Sequence, residues 1–131
     1  MWLALEALFL SWLINKFLLE RIGEYAIYLG APVIEEFLKS IPAYLLDRPI
    51  LPVHFWFGIG EALYDICTGR GDRVSGRFAA LASIISHSLF GGAAYLLMEW
   101  TASIAAALIV SVILHMGWNY GVMRMGKVER N

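Results

Sequence analysis

The sequence predicts an all-α polytopic bundle of about five transmembrane helices. Of its 131 residues, 60% are hydrophobic and only 16% charged, and the mean hydropathy is +0.65. Soluble domains are usually about a quarter charged. The apolar residues also gather into long runs separated by short breaks, none long enough for a soluble domain. The expectation is an integral membrane protein with a single domain over residues 1–131 and no internal repeat. A formal charge of -1 leaves no nucleic-acid footprint. Cys67 is the only cysteine, so the chain has no internal disulfide and no paired Cys/His spacing for structural zinc; it is expected to be inert.

The expected helices cover residues 2–17, 25–46, 51–66, 78–98 and 101–123. The first begins Met1-Trp2-Leu3-Ala4-Leu5-Glu6, without the basic region or cleavage site of a signal peptide, and is read as a retained helix. It and the third are short for a span of ~20 residues, a shortfall that tilt or partial burial would cover. Whether the first crosses fully is left open. The breaks are Glu20-Arg21-Ile22-Gly23, Asp47-Arg48-Pro49, Gly69-Arg70-Gly71-Asp72-Arg73 and a tight turn near Glu99. Pro32, after Gly30-Ala31, should kink or restart the second helix.

With five spans, Lys16, Arg21, Arg70, Arg73, Arg77, Arg124, Lys127 and Arg130 fall on one side and Arg48 on the other. The positive-inside rule then puts the N-terminus outside and the C-terminus in the cytoplasm. Trp56 and Trp100 lie toward the outer end and Trp118 deeper.

Four of these apolar stretches carry polar groups near their middle: Glu35-Glu36 with Lys39, Glu61, His87, and His115 with Asn119. A charge at a membrane helix centre costs roughly 2.5–3.5 kcal/mol on translocon scales, so such groups usually face a bundle interior and mark function. At ~1.5 Å rise per residue, all four sites sit roughly 10–17 Å from the cytoplasmic end of their helices and can share one layer. Two imidazoles, an amide and several carboxylates at one depth resemble a hydrolytic centre.

Each group also has a plainer reading. One glutamate with Lys39, at i,i+3 or i,i+4, makes a buried ion pair that only holds the bundle together; a second adjacent glutamate is harder to explain so. Gly58 and Gly60 before Glu61 permit close approach by a helix or a substrate, and Glu61 itself could simply bond Tyr64 or a neighbouring helix. A lone His87 is more often a satisfied core residue than a catalyst. His115 and Asn119, four apart, offer two donors to one point and suit an oxyanion hole. Trp118, Gly117 and Gly121 are read as packing residues. His54 is read as an interfacial residue away from the layer, and Glu6 as a charge that either snorkels or contacts the outer surface.

Taken together, these strings resemble the glutamate-type intramembrane proteases of the PrsW family, in the clan that also holds the type II CAAX prenyl proteases. Pro32-Val33-Ile34-Glu35-Glu36-Phe37-Leu38-Lys39 is similar to the PxxEExxK motif, Phe57 through Glu61 to FxxxE, His87-Ser88-Leu89-Phe90 to HxxF and His115-Met116-Gly117-Trp118-Asn119 to HxxWN. Ala62 stands where the family usually has Asn. The resemblance spans 32–119, and the chain looks like a minimal core of a family whose members usually have more helices.

The resemblance implies that Glu35 acts as general base on a water attacking a peptide carbonyl. Glu36 or Glu61 would orient the water or protonate the leaving amine, and His87 would hold the water from its other side. His115 and Asn119 would stabilise the oxyanion, with Lys39 and Phe57 in support. No cofactor is needed; the alternative is zinc on Glu35, Glu61, His87 and His115. A non-proteolytic scaffold subunit or small transporter using the same polar layer is the reading from another class. The implied substrate is a membrane-anchored protein, such as an anti-sigma factor or a prenylated protein, met in the lipid bilayer of a prokaryotic plasma membrane. Assembly as a homo-oligomer is a further expectation from so small a core.

Overall fold

The computed structural model describes residues 1–68 and 73–128, and they form an all-α bundle. In chain order they are α1 (Trp2–Ile22), a π-helical segment (Ala26–Gly30) running directly into α2 (Ala31–Leu45), α3 (Ile50–Thr68), α4 (Arg73–Thr101) and α5 (Ile104–Val128). Arg70 and Arg130 lie outside the described residues. Among the described residues three stretches are long and apolar enough to cross a membrane: Trp2–Ile22, Gly76–Thr101 and Ile104–Met125.

Most helix ends differ by one to five residues from the sequence expectation, and two of the differences have a local cause. α1 reaches Ile22 and, at 21 residues, is long enough for a full span. Glu20 and Arg21 are good helix formers and do not stop it; Gly23, at φ +58°, does. The turn expected near Glu99 falls three residues later, where Ala102 takes φ +51°. There the Ser103 hydroxyl accepts from the Ala106 N–H (3.3 Å) and caps α5.

Pro32 accounts for the start of α2. In a π turn the carbonyl of residue i pairs with the N–H of residue i+5, and for Ile27 that residue is Pro32, which has no N–H. The Ile27 carbonyl instead accepts from Asn119 Nδ2 at 2.9 Å. A missing backbone donor on one segment is thereby covered by a side chain from α5.

The packing forms a ring: α2 meets α3, α3 meets α4, α4 meets α5 and α5 returns to α2, while α1 lies outside on α2, α3 and the π segment. The α3–α4 contact is the tightest. A Cβ on Gly58 would sit 3.0 Å from the Ser83 carbonyl and 3.1 Å from Ile84 Cα, so Gly58 permits close approach of α4. Gly60 admits Leu8 of α1 in the same way. Gly117 and Gly121 face open space, which corrects their reading as packing glycines.

One end of the bundle is plugged by an apolar core: Ala43, Ile50, Val53, Ala94 and Ala107 with Ala4 and Ala7 of α1. These come from the start of α1, α3 and α5 and the end of α2 and α4. Large apolar side chains such as Phe9, Phe37, Phe78, Leu89 and Trp100 point outward, while Glu35, Glu36, Lys39, His54, His87 and His115 are buried. Apolar outside and charged inside is the distribution of a protein solvated by lipid.

Candidate active site

The polar residues singled out from the sequence meet in one network inside the ring. Its hub is Glu36, fully buried. Oε1 accepts from Lys39 Nζ (2.5 Å) and from His115 Nδ1 (2.9 Å), and Oε2 lies 2.8 Å from His54 Nε2, whose other ring nitrogen, Nδ1, is 3.1 Å from the Ile50 carbonyl. Both oxygens of this carboxylate are engaged, and Glu36 lines neither of the cavities described below. It is an orienting group: buried away from both cavities, it is not placed for the two functional roles expected of it, holding water or protonating an amine.

Lys39 lies at the crossing of the network. Beyond Glu36 it donates to His87 Nδ1 at 3.0 Å, and its ammonium sits 4.3 Å from the centre of the Phe57 ring. Because an ammonium has only donors, Nδ1 of His87 must accept, and Nε2–H then donates to Glu61 Oε2 at 2.6 Å. The same oxygen of Glu61 accepts from Ser83 Oγ at 2.9 Å. Tyr64 is not its partner.

The same reasoning fixes His115. Glu36, paired to Lys39, accepts, so Nδ1–H of His115 donates and Nε2 presents a lone pair. That lone pair lies 3.7 Å from Glu35 Oε2. Phe90 stacks on the imidazole, with centroids 5.0 Å apart at 26°. His115 therefore offers an acceptor, and the donor role expected of it at an oxyanion is not available in this arrangement. Asn119 has one amide N–H committed to Ile27, and the other is left to donate.

Glu35 differs from its neighbour in every respect. Oε1 accepts from Asn15 Nδ2 of α1 at 2.8 Å, whereas Oε2 is buried without a hydrogen-bond partner. Glu35 and Glu61 both line two cavities, one of about 930 Å³ between α1, α2 and α3 and one of about 210 Å³ toward α4 and α5. Asn119 lines both as well.

Two residues of the site escaped sequence reasoning. His54, expected at the membrane interface, is fully buried. Gly91 of α4 makes room for it, since a Cβ there would lie 2.5 Å from His54 Cβ. Its position seven residues before Glu61, two turns along the same face of α3, was the available signal. Asn15 came from a helix given no role, although Ser11 and Asn15, four apart in an apolar run, mark a polar face. Glu6 is exposed, as expected.

The site fits a metal ion only in part. Glu35, His87 and His115 offer ligand atoms that all lie within 4.8 Å of one another. His115, with Nδ1–H on a carboxylate and Nε2 free, has the tautomer of a metal ligand. His87 does not: both nitrogens are engaged, and the Lys39 ammonium 3.0 Å from Nδ1 opposes a cation there. Glu61 is saturated at Oε2.

No protein-family model, curated protein or solved structure matches the chain.

Proposed function

We propose that this chain is an intramembrane endopeptidase of the glutamate type, hydrolysing a peptide bond of a membrane-anchored protein. The observation that carries the reading is the gap between two acceptors: the unpartnered Oε2 of Glu35 and the Nε2 lone pair of His115, 3.7 Å apart beside the cavities. A water there donates one hydrogen to each and keeps its own lone pairs for attack. The order of the motifs around Glu35, Glu61, His87 and His115, similar to that of the PrsW family, supports the same class.

In the mechanism, Glu35 Oε2 takes a proton as the water oxygen adds to the carbonyl carbon. Glu36 holds His115 in the tautomer that keeps Nε2 facing the water. The free N–H of Asn119 donates to the developing oxyanion, a role typically worth about 2.7–4 kcal/mol. The proton passes from Glu35 to the amide nitrogen as the C–N bond breaks, leaving an acid and an amine. Glu61, held by Ser83 and His87, keeps His87 aligned with Lys39.

All five helices belong to the membrane in this reading, with the N-terminus outside and the C-terminus in the cytoplasm, as the basic residues favour. The apolar plug then faces outward and the cavities inward, which suits a substrate cut in the cytoplasmic half. A prenylated protein fits that side better than an anti-sigma factor cleaved outside.

The three-residue group of Glu35, His87 and His115 supports a zinc enzyme as the second reading. It requires Lys39 to release His87. The test is cleavage of single-pass and prenylated peptides in liposomes by wild type, by Glu35→Gln and with chelator added. Loss in the mutant with indifference to chelator is expected. Loss to chelator moves the reading to zinc, and a folded wild type that cuts nothing moves it to a scaffold or transport role.

A further inference from the structure

We infer that the larger cavity is the binding site for an unwound, extended peptide segment, and that Ser11 and Asn15 make α1 the wall that holds it. The inference rests on the hydrolase reading for the identity of the occupant.

Several polar atoms on this cavity lack hydrogen-bond partners. Ser11 is 3% exposed and its Oγ has no hydrogen-bond partner; Asn15 Oδ1 and Glu35 Oε2 are likewise buried and unpartnered. All three residues line the cavity of about 930 Å³. Buried polar atoms in folded proteins nearly always have partners; the Glu35 oxygen takes the water, and the two bare atoms of α1 beside it point to an occupant that brings donors.

Peptide backbone is such an occupant. A transmembrane helix satisfies its own N–H groups, but a bond presented for hydrolysis must leave the helix, and its N–H groups then need acceptors in a place without bulk water. The four residues from Ser11 to Asn15 rise about 6 Å along α1. An extended chain points N–H groups to one side every second residue, at a repeat of roughly 6.4–6.8 Å. The two spacings match within the play of a side chain.

The walls fit as well. Leu5, Phe9, Trp12 and Leu19 of α1 give apolar surface for side chains, and Glu35 and Glu61 lie on the opposite wall. Among the described residues α1 packs only on α2, α3 and the π segment, so the ring closes without it and the cavity lies between α1 and the ring.

The test uses the full chain carrying Glu35→Gln in liposomes, so that a peptide is held and not cut. The probe is a biotinylated single-pass peptide of Leu and Ala with a central Gly-Ser-Gly break. A photo-crosslinking amino acid is placed at Phe9, which lines the cavity, or at Leu10 beside it, which does not. The expected result is crosslinking to the broken centre of the peptide from position 9 and not from 10. Ser11→Val should weaken it, raising the peptide concentration for half-maximal crosslinking about two- to tenfold, while Ser11→Thr, which keeps the acceptor, should not. Ser11→Ala serves if the valine variant fails to fold. Crosslinking equal at both positions, absent from both, or indifferent to Ser11 overturns the inference and leaves the cavity to water or lipid. If crosslinking is as expected but wild type never cuts the peptide, the hydrolase reading fails and the peptide site stands; cleavage without crosslinking gives the reverse.

Discussion

Two adjacent carboxylates divide the molecule into a closed half and an open half. Glu36 faces His54, Lys39 and His115, beside the apolar plug, and both of its oxygens are engaged there. Glu35 faces α1 and the cavities, and one of its oxygens is bare. The difference comes from the helix itself, since neighbouring residues point about 100° apart and so meet different helices. A carboxylate engaged at both oxygens holds structure, and one with a bare oxygen in the same layer is available for chemistry.

That contrast can be broken most severely at Glu36. Glu36→Ala leaves Lys39 and two imidazoles without their shared acceptor, and removing one partner of a buried pair typically costs about 3–5 kcal/mol. Thermal melting in detergent should show the loss. Gly91→Ala attacks the same half from the side by driving a methyl into His54, with an expected cost of about 1–3 kcal/mol and no direct contact with the cavities. Asn119→Leu sharpens the picture at the open end. It bares the Ile27 carbonyl, worth about 1–3 kcal/mol if no water replaces the donor, and it removes the oxyanion N–H. Its melting should fall less than that of Glu36→Ala, while cleavage falls further than melting explains. Glu6→Gln, on the exposed face of α1, should shift stability by less than about 0.5 kcal/mol.

Much of this arrangement was legible in the sequence because a membrane leaves few places for charge. Hydropathy alone separated the helices, and counting residues to the helix ends put Glu35, Glu61, His87 and His115 at one depth, where the structure links them. The adjacency of Lys39 to the two glutamates foretold a pair, but not which glutamate would be paired. That choice depends on which way α2 is rotated against α5 and α3.

The misreadings share a cause. His54 looked peripheral because depth was judged by distance from the helix end, whereas its burial depends on a glycine of another helix, Gly91. His115 looked like a donor because its hydrogen bond to Glu36 joins residues 79 apart and fixes the tautomer. Asn119 looked committed to chemistry, yet one of its protons is spent on a carbonyl that Pro32 leaves unpaired, a consequence of a π turn that no local propensity announces. Asn15 was missed because α1 was judged by its length and not by its polar face.

The central claim is that Glu35 does chemistry and Glu36 does structure. The most direct measurement compares Glu35→Gln and Glu36→Gln side by side, recording melting in detergent and cleavage of a single-pass peptide in liposomes per folded molecule. The account predicts that Glu35→Gln melts like wild type and cleaves about 10²–10⁴-fold more slowly, while Glu36→Gln melts clearly lower. A Glu35→Gln protein that cleaves at the wild-type rate, or a Glu36→Gln protein that melts like wild type while Glu35→Gln unfolds, would contradict it.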